Sequence, residues 1–435
     1  MPLSFKVNWC FMVFFFFFFF FFFFFFFFFF FSSCFMVNLG MFGYFFFVDN
    51  ISFMFSCLSI WICIMMIFSM YGYKDSFKFS FFLFFVSLLL FMLLIVFLVF
   101  DYFYFYFFFE ISLIPVFLII FGWGYQPERL MAGYYLIFYT VFGSLPFFLI
   151  ILNEIFLNGL FNFFFEFKML SMFKMFFLIF SFLIKFPMFG VHNWLTKAHV
   201  EAPASGSMIL AGVMLKLGGY GMLRCLGFLY FFLFSYSFIF ISMSIYGGIL
   251  ISFFCLVQSD MKMLVAYSSI CHMSMVISGL FSLMNLGVLG SLIFMLGHGF
   301  VSSGLFYLIG MVYERFSSRS FFFVSGLLKI YPSLGFFWFI ICSLNMSCPP
   351  SINLFSEICL MMGLISWCSY LIFMLFLVFF FSACYSMTFF FLVQHGNLSY
   401  LFKFIGVCYV REYFILFLHV FPSFFVLFIL KSLNF

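Results

Sequence analysis

Read from the N-terminus, the chain is a succession of long apolar stretches set apart by short polar clusters. A helix crossing a bilayer needs roughly 20 mostly apolar residues. The clusters mark candidate spans near residues 11–31, 34–49, 51–72, 79–100, 104–126, 130–152, 171–195, 203–223, 229–257, 263–281, 286–312, 321–375, 377–400 and 413–430. Irregular backbone is costly in lipid, so the pattern predicts an all-α membrane protein with about 14 transmembrane helices. The second stretch is short for a bilayer and the twelfth far too long. The twelfth is interrupted by Pro349 and Pro350, which cannot continue a helix, so it reads as two half-helices.

Composition sharpens this picture. Phenylalanine fills 98 of 435 positions and only 7% of residues are charged, against about a quarter in soluble domains. So few charges cannot coat a globule of 51.6 kDa, which excludes large soluble domains and makes the lipid bilayer the natural solvent. The 13 cysteines are scattered without a CxxC pair, so they read as small apolar side chains and no metal or iron–sulfur framework is legible. Gly218, Gly219 and Gly221 lie in an apolar run without the spacing of a dinucleotide or phosphate loop. No cofactor-binding site is therefore expected in this chain. A net charge of +5 without a basic cluster gives no support to nucleic-acid binding. The unbroken run Phe14 to Phe31 reads as a lipid-facing helix, and the excess of Phe, Met and Tyr over Pro and Arg is what a T-rich coding strand of an organelle genome produces.

Orientation follows from the basic residues, which concentrate in short loops on the cytoplasmic or matrix side. With this set of spans one side collects Lys74, Lys78, Arg129, Lys197, Lys262, Arg315, Arg319, Lys329, Lys403 and Arg411, and the other Lys6, Lys168, Lys174, Arg224 and Lys431. Both termini are then expected on the outer side. Lys185 and Lys216 fit neither loop set.

Those two lysines belong to a group of ionisable residues placed deep within spans. Lys185 stands between Lys174 and Lys197, about 15 Å from either end of its stretch. Lys216 lies between Glu201 and Arg224, Glu110 is well past Asp101, His272 and His298 fall in the middle of their spans, and Glu357 follows the proline break. Each charge at such depth costs on the order of 2.5–3.5 kcal/mol, so a layer of them reads first as function. A lysine in low dielectric favours its neutral form and a nearby carboxylate restores the charge; moving the carboxylate's influence would toggle the proton. Pro187 and Gly190 follow Lys185, and Pro349 and Pro350 precede Glu357, so broken helices stand beside two of these groups, as in ion-carrying membrane proteins. A plainer reading stands alongside: Glu110 and Lys185 as a static neutral pair, with the histidines hydrogen-bonded inside the bundle.

From Lys185 to Arg224 the chain reads KFPMFGVHNWLTKAHVEAPASGSMILAGVMLKLGGYGMLR. This closely resembles the signature of the subunit 4 family of mitochondrial NADH–ubiquinone oxidoreductase, respiratory complex I. Similar stretches begin at Phe107 (FFFEISLIPVFLIIFGWGYQPERL), Gln258 (QSDMKMLVAYSSICHMSMV), Gly297 (GHGFVSSGLFYLIGMVYER) and Pro349 (PPSINLFSE). The resemblance implies an antiporter-like, proton-pumping, multi-pass subunit of the mitochondrial inner membrane, built from inverted repeats. It divides the chain into N-terminal helices over 1–100, a first repeat over 101–225 with Glu110, Lys185 and Lys216, a second over 226–400 with His272, His298 and Glu357, and a C-terminal helix over 401–435. By position Glu110 and Lys185 match the pump pair, Lys216 the connecting lysine, His272 and His298 later relay groups, and Glu357 the acidic residue toward the exit. It also implies partners: other membrane-arm subunits of complex I, above all neighbouring antiporter-like ones, and subunits that use NADH, FMN, iron–sulfur clusters and ubiquinone. One departure is Thr196, where the family usually has proline, so the bend after the lysine helix is open. Lys197, His199 and Glu201 read as groups that position the polar turn.

Two further readings compete with a pump subunit: a stand-alone or multisubunit ion-gradient antiporter of the same fold, and a non-catalytic membrane scaffold with inert buried pairs.

Overall fold

The computed structural model describes residues 41–42, 46–74, 77–159, 162–163, 171–397 and 406–430. A short antiparallel hairpin, β1 (Met41–Phe42) and β2 (Phe46–Phe47), precedes fifteen α-helices among the described residues. The expected span over 11–31 lies outside the described residues. That over 34–49 is not helical where it is described: its aromatic residues suit a pleated strand, and the stretch is too short to cross a bilayer.

Hydrophobic length then organises the rest. Helices α1 (Asn50–Ser69), α2 (Phe77–Leu98), α3 (Tyr102–Ile111), α4 (Leu113–Trp123) and α5 (Arg129–Asn158) follow the expected spans. The break between α3 and α4 at Ser112 has a local cause, because Pro115 has no N–H for the carbonyl of Ile111. Helix α6 (Met172–Lys185) stops where Pro187 removes the next donor, and α7 (Asn193–Glu201) resumes the crossing. Next come α8 (Ala204–Ile209), a π-helical turn (Leu210–Met214) and α9 (Leu215–Val257). Two spans were expected here, and the backbone bonding instead runs unbroken through the 43 residues of α9. Gly218 nevertheless packs against Phe186 and Gly247 against Phe189. A straight helix would hold positions 218 and 247 about 43 Å apart, while residues 186 and 189 can be at most about 11 Å apart. The helix therefore bends back on itself, and the apolar stretches Ala204–Tyr230, which begins in α8, and Phe232–Val257 remain two crossings.

Helices α10 (Met261–Phe281) and α11 (Asn285–Phe316) form the centre of the bundle, with 94% and 100% of their apolar windows buried. The long twelfth stretch resolves into α12 (Pro332–Asn345) and α13 (Ile352–Trp367), as the proline pair requires, followed by α14 (Ile372–Gln394) and α15 (Val410–Leu430). Nine described helical segments are long and apolar enough to cross a membrane. Outer helices such as α5 turn large apolar groups outward, Phe138 and Phe142 among them, which is the expected surface toward lipid.

Charged side chains gather at two opposite ends. At one, Arg319 pairs with Glu201 (3.6 Å) and Asp260 (3.5 Å), Arg315 pairs with Glu412, and Lys74 and Arg411 both face Tyr71. At the other, Arg224 pairs with Asp49, and Lys174 lies 3.0 Å from Glu154. Lys262 was expected in a loop but is buried, and its ammonium donates to the carbonyl oxygens of Ala202 (2.8 Å) and Val200 (3.3 Å). The end carrying Arg319, Arg315, Lys74 and Lys262 is called the basic end below.

Candidate functional site

The ionisable residues of the interior are positioned by the irregularities of the helices. Glu110 occupies the last turn of α3, just before the break at Ser112, and Lys185 is the last residue of α6. Their charged atoms lie 3.2 Å apart, with the lysine side chain 3% and the glutamate 17% exposed. The ammonium also donates to the carbonyl of Phe109 at 2.9 Å and faces that residue's ring. Trp194 caps the interrupted helix from below by donating its indole N–H to the carbonyl of Ile184 at 3.0 Å. Such a bond satisfies an acceptor that the proline break leaves open.

Lys216 follows the π-helical turn. The wider turn leaves the carbonyl of Ala211 free for the lysine side chain five residues on, and Lys216 Nζ donates to it. The same nitrogen lies 3.1 Å from Nδ1 of His298 on α11. The ring centroid of His298 is 5.5 Å from that of His272 on α10, and Nε2 of His272 lies 2.9 Å from the hydroxyl of Tyr385 on α14. Lys216, His298, His272 and Tyr385 thus form one fully buried series across four helices. Nδ1 of His272 has no partner among the described residues.

Glu357 sits on α13 beyond the interruption, where the hydroxyl of Ser347 donates to its carboxylate. It lies within electrostatic reach of Tyr385. Three gaps punctuate the row. No hydrogen bond among the described residues joins Lys185 to Lys216, although Gly218 on α9 packs against Phe186, the neighbour of Lys185. Nor does one join His298 to His272, whose rings only face each other, or Tyr385 to Glu357.

The six residues expected from the sequence therefore fall into a pair (Glu110, Lys185), a contiguous group (Lys216, His298, His272) and a separate carboxylate (Glu357). Tyr385 was not singled out. Its signal was a lone phenol in the middle of an apolar stretch, flanked by Ser382 and Ser386. Of the turn residues, Lys197 faces the ring of Tyr135, Glu201 pairs with Arg319, and His199 stacks on Phe306 with ring centroids 4.6 Å apart. Thr196 continues α7 and donates its hydroxyl to the carbonyl of Asn193. Among the described residues no group of three or more His, Cys, Asp or Glu side chains is arranged to hold a metal ion.

Comparison with known proteins gives a consistent picture. Residues 1–98 match the family description "NADH-ubiquinone oxidoreductase chain 4, amino terminus", and residues 99–384 match "NADH:quinone oxidoreductase/Mrp antiporter, TM". The chain is 44% identical over 397 residues to NADH-ubiquinone oxidoreductase chain 4 of Locusta migratoria, covering 88% of this chain and 87% of that one. It is 47% identical over 320 residues to chain 4 of Aedes aegypti, covering 72% and 71%. Among solved structures, a chain of respiratory complex I from Thermus thermophilus with bound NADH superposes with a TM-score of 0.81 at 23% identity, covering 89% of this chain and 84% of that one; at that identity the likeness speaks for the fold.

Proposed function

The chain belongs to the NADH-ubiquinone oxidoreductase chain 4 family, and on that footing we propose that it is a membrane-arm subunit of NADH:ubiquinone oxidoreductase that moves protons across the mitochondrial inner membrane. Glu110, Lys185, Lys216, His298, His272 and Glu357 carry the proton, with Tyr385 as a further link. The observation that supports this reading is the buried series from Lys216 to Tyr385, together with an ion pair whose lysine is buried and whose glutamate is mostly so. A fully buried cation is costly unless compensated, so a second lysine at this depth without a carboxylate against it is hard to explain as packing alone.

The chemistry follows from the groups. Lys185 keeps its proton while the carboxylate of Glu110 lies against it. When that carboxylate is drawn away or neutralised, the ammonium is left in low dielectric and releases the proton. Water admitted when the Phe186–Gly218 contact loosens carries it to Lys216, whose nitrogen is already in contact with His298. Imidazoles can take a proton at one nitrogen and give it from the other, so His298 and His272 extend the row to Tyr385. Glu357 receives the proton beyond the helix break. The driving energy comes from partner subunits, which handle NADH, the flavin, the iron–sulfur clusters and ubiquinone. Neighbouring antiporter-like subunits pass the charge change along the membrane, and the gene lies in the mitochondrial genome.

The test uses the assembled complex in membrane vesicles. Lys216→Ala should lower NADH-driven proton uptake and ubiquinone turnover while NADH oxidation by an artificial acceptor continues. Co-migration with the NADH-oxidising assembly on a native gel separates this reading from a stand-alone antiporter, and unchanged pumping would favour an inert scaffold.

A further inference from the structure

Another buried histidine lies outside this row. His419 is in the middle of α15, 2% exposed, with Nδ1 2.8 Å from the carbonyl of Ile415. Its Nε2 has no partner among the described residues. With Nδ1 committed to donating to a carbonyl, the neutral ring carries its lone pair at Nε2, which is then a proton acceptor facing the interior. The ring stacks on that of Tyr307 of α11, with centroids 6.3 Å apart and planes within 9°. Tyr307 is in electrostatic reach of Glu412, Glu314, Arg411 and Arg315, the charged cluster at the basic end.

What lies inward of His419 is equally specific. Gly304 of α11 packs against the Cβ of His419 and against Ile341. Seven residues earlier, two helical turns along the same face, Gly297 faces the side-chain oxygen of Asn353. That buried oxygen too has no partner among the described residues, while the amide nitrogen of Asn353 donates to the carbonyl of Leu344 at 3.0 Å. Asn353 is one turn before Glu357 on α13, on the same side of that helix. Two unsatisfied acceptors in the interior thus lie along one glycine-marked face of α11, separated by about 10 Å of helix. Buried polar atoms of this kind are normally satisfied by water when protein provides no donor.

We propose that a second proton path reaches Glu357 from the basic end, running from the Arg315–Glu412 pair through Tyr307 and His419, along the Gly304–Gly297 face of α11, to Asn353. His419 takes a proton at Nε2 from a water on the Tyr307 side and releases it from the same atom to a water on the Asn353 side. Asn353 holds the last water next to Glu357. The path rests on the proton-pump reading above and adds a separate entry to its second half.

The experiment uses the assembled complex in membrane vesicles with two conservative variants, Tyr307→Phe and His419→Gln, and Lys185→Ala as a control. Both conservative variants should co-migrate with the intact complex and oxidise NADH with an artificial acceptor at the normal rate. Ubiquinone-coupled turnover and proton uptake should fall by roughly an order of magnitude, within the range that one proton-transfer group contributes. The solvent deuterium isotope effect on turnover should rise, because proton delivery becomes limiting, a change that a packing defect does not produce. Should His419→Gln fail to assemble, Tyr307→Phe alone decides, since it removes only a hydroxyl. Normal pumping and an unchanged isotope effect in Tyr307→Phe, with pumping lost in Lys185→Ala, overturn the path and leave the pump reading intact. Normal pumping in Lys185→Ala as well removes both.

Discussion

Replacing Lys185 by alanine tests the pair on which the pump reading depends. The ammonium is 3% exposed and stands 3.2 Å from the carboxylate of Glu110, itself only 17% exposed. Its removal leaves a mostly buried carboxylate without a counter-charge and a carbonyl, that of Phe109, without its donor. Breaking a buried pair in this way costs about 3–5 kcal/mol while the remaining charge persists. The variant retains no ion pair to switch and no lysine to load. Vesicles carrying the complex, supplied with NADH and monitored with a pH-sensitive dye, should therefore show proton uptake and ubiquinone turnover at least about tenfold lower, the smaller end of what a general acid–base group contributes to a rate. Oxidation of NADH by an artificial acceptor should remain, since the proposed function places that electron path in partner subunits. Glu110→Gln should give the same result by the opposite route, holding Lys185 against Phe109 with no carboxylate to draw a proton back onto it. Full pumping in both variants, with the complex intact on a native gel, would refute the reasoning.

Other outcomes follow from the same geometry. Tyr385→Phe removes the hydroxyl 2.9 Å from His272 and should slow coupled turnover several-fold without affecting assembly, read in the same dye assay. Gly290→Ala places a Cβ 2.8 Å from the backbone nitrogen of Leu360 and 3.0 Å from the carbonyl of Ser356; backbone cannot give way, so a loss of about 1–3 kcal/mol should appear as a lower yield of complex on a native gel and a lower melting temperature. Lys74→Ala removes an exposed charge at the basic end and should change both stability and pumping little, within about 0.5 kcal/mol.

The crossings were legible in the sequence because lipid permits few alternatives. An apolar stretch that cannot satisfy its backbone with water must be helical, and the two interrupted crossings carried their prolines in plain view at Pro187 and at Pro349–Pro350. The break at Ser112 had its cue in Pro115, which hydropathy alone passed over. The hairpin at residues 41–47 was missed because a short apolar run has no period that separates strand from helix. The missing interruption in α9 has a similar origin: residues 224–229 hold one arginine but no proline to end a helix. Burial was partly legible: Lys185, Lys216, His272 and His298, counted from the loop charges as lying deep in their stretches, are buried, whereas Lys262, counted as a loop residue, is buried too. Contacts were not: Lys216 and His298 are 82 positions apart, and His272 and Tyr385 are 113 apart, so only packing reveals that they touch.

The unequal wiring of the row bears on where control resides. From Lys216 to Tyr385 each group already touches or faces the next, so on the proposed reading a proton placed there needs no change of fold to move along the series. Lys185 is different, because it is held by Glu110 and by Phe109 and is separated from Lys216 by packed side chains around Gly218 and Phe186. A coupling machine needs one step that is closed until energy opens it, and the group in this row best placed to take two positions is Lys185, the last residue of a helix that proline has cut. Gly218 and Gly221 bring α6 and α9 into close contact, so in the proposed pump a slight shift between the two helices would admit or exclude water. Substitutions at Gly221, where a Cβ would press on the ring of Phe182, should therefore alter the coupling of proton movement to electron transfer before they alter the relay beyond Lys216.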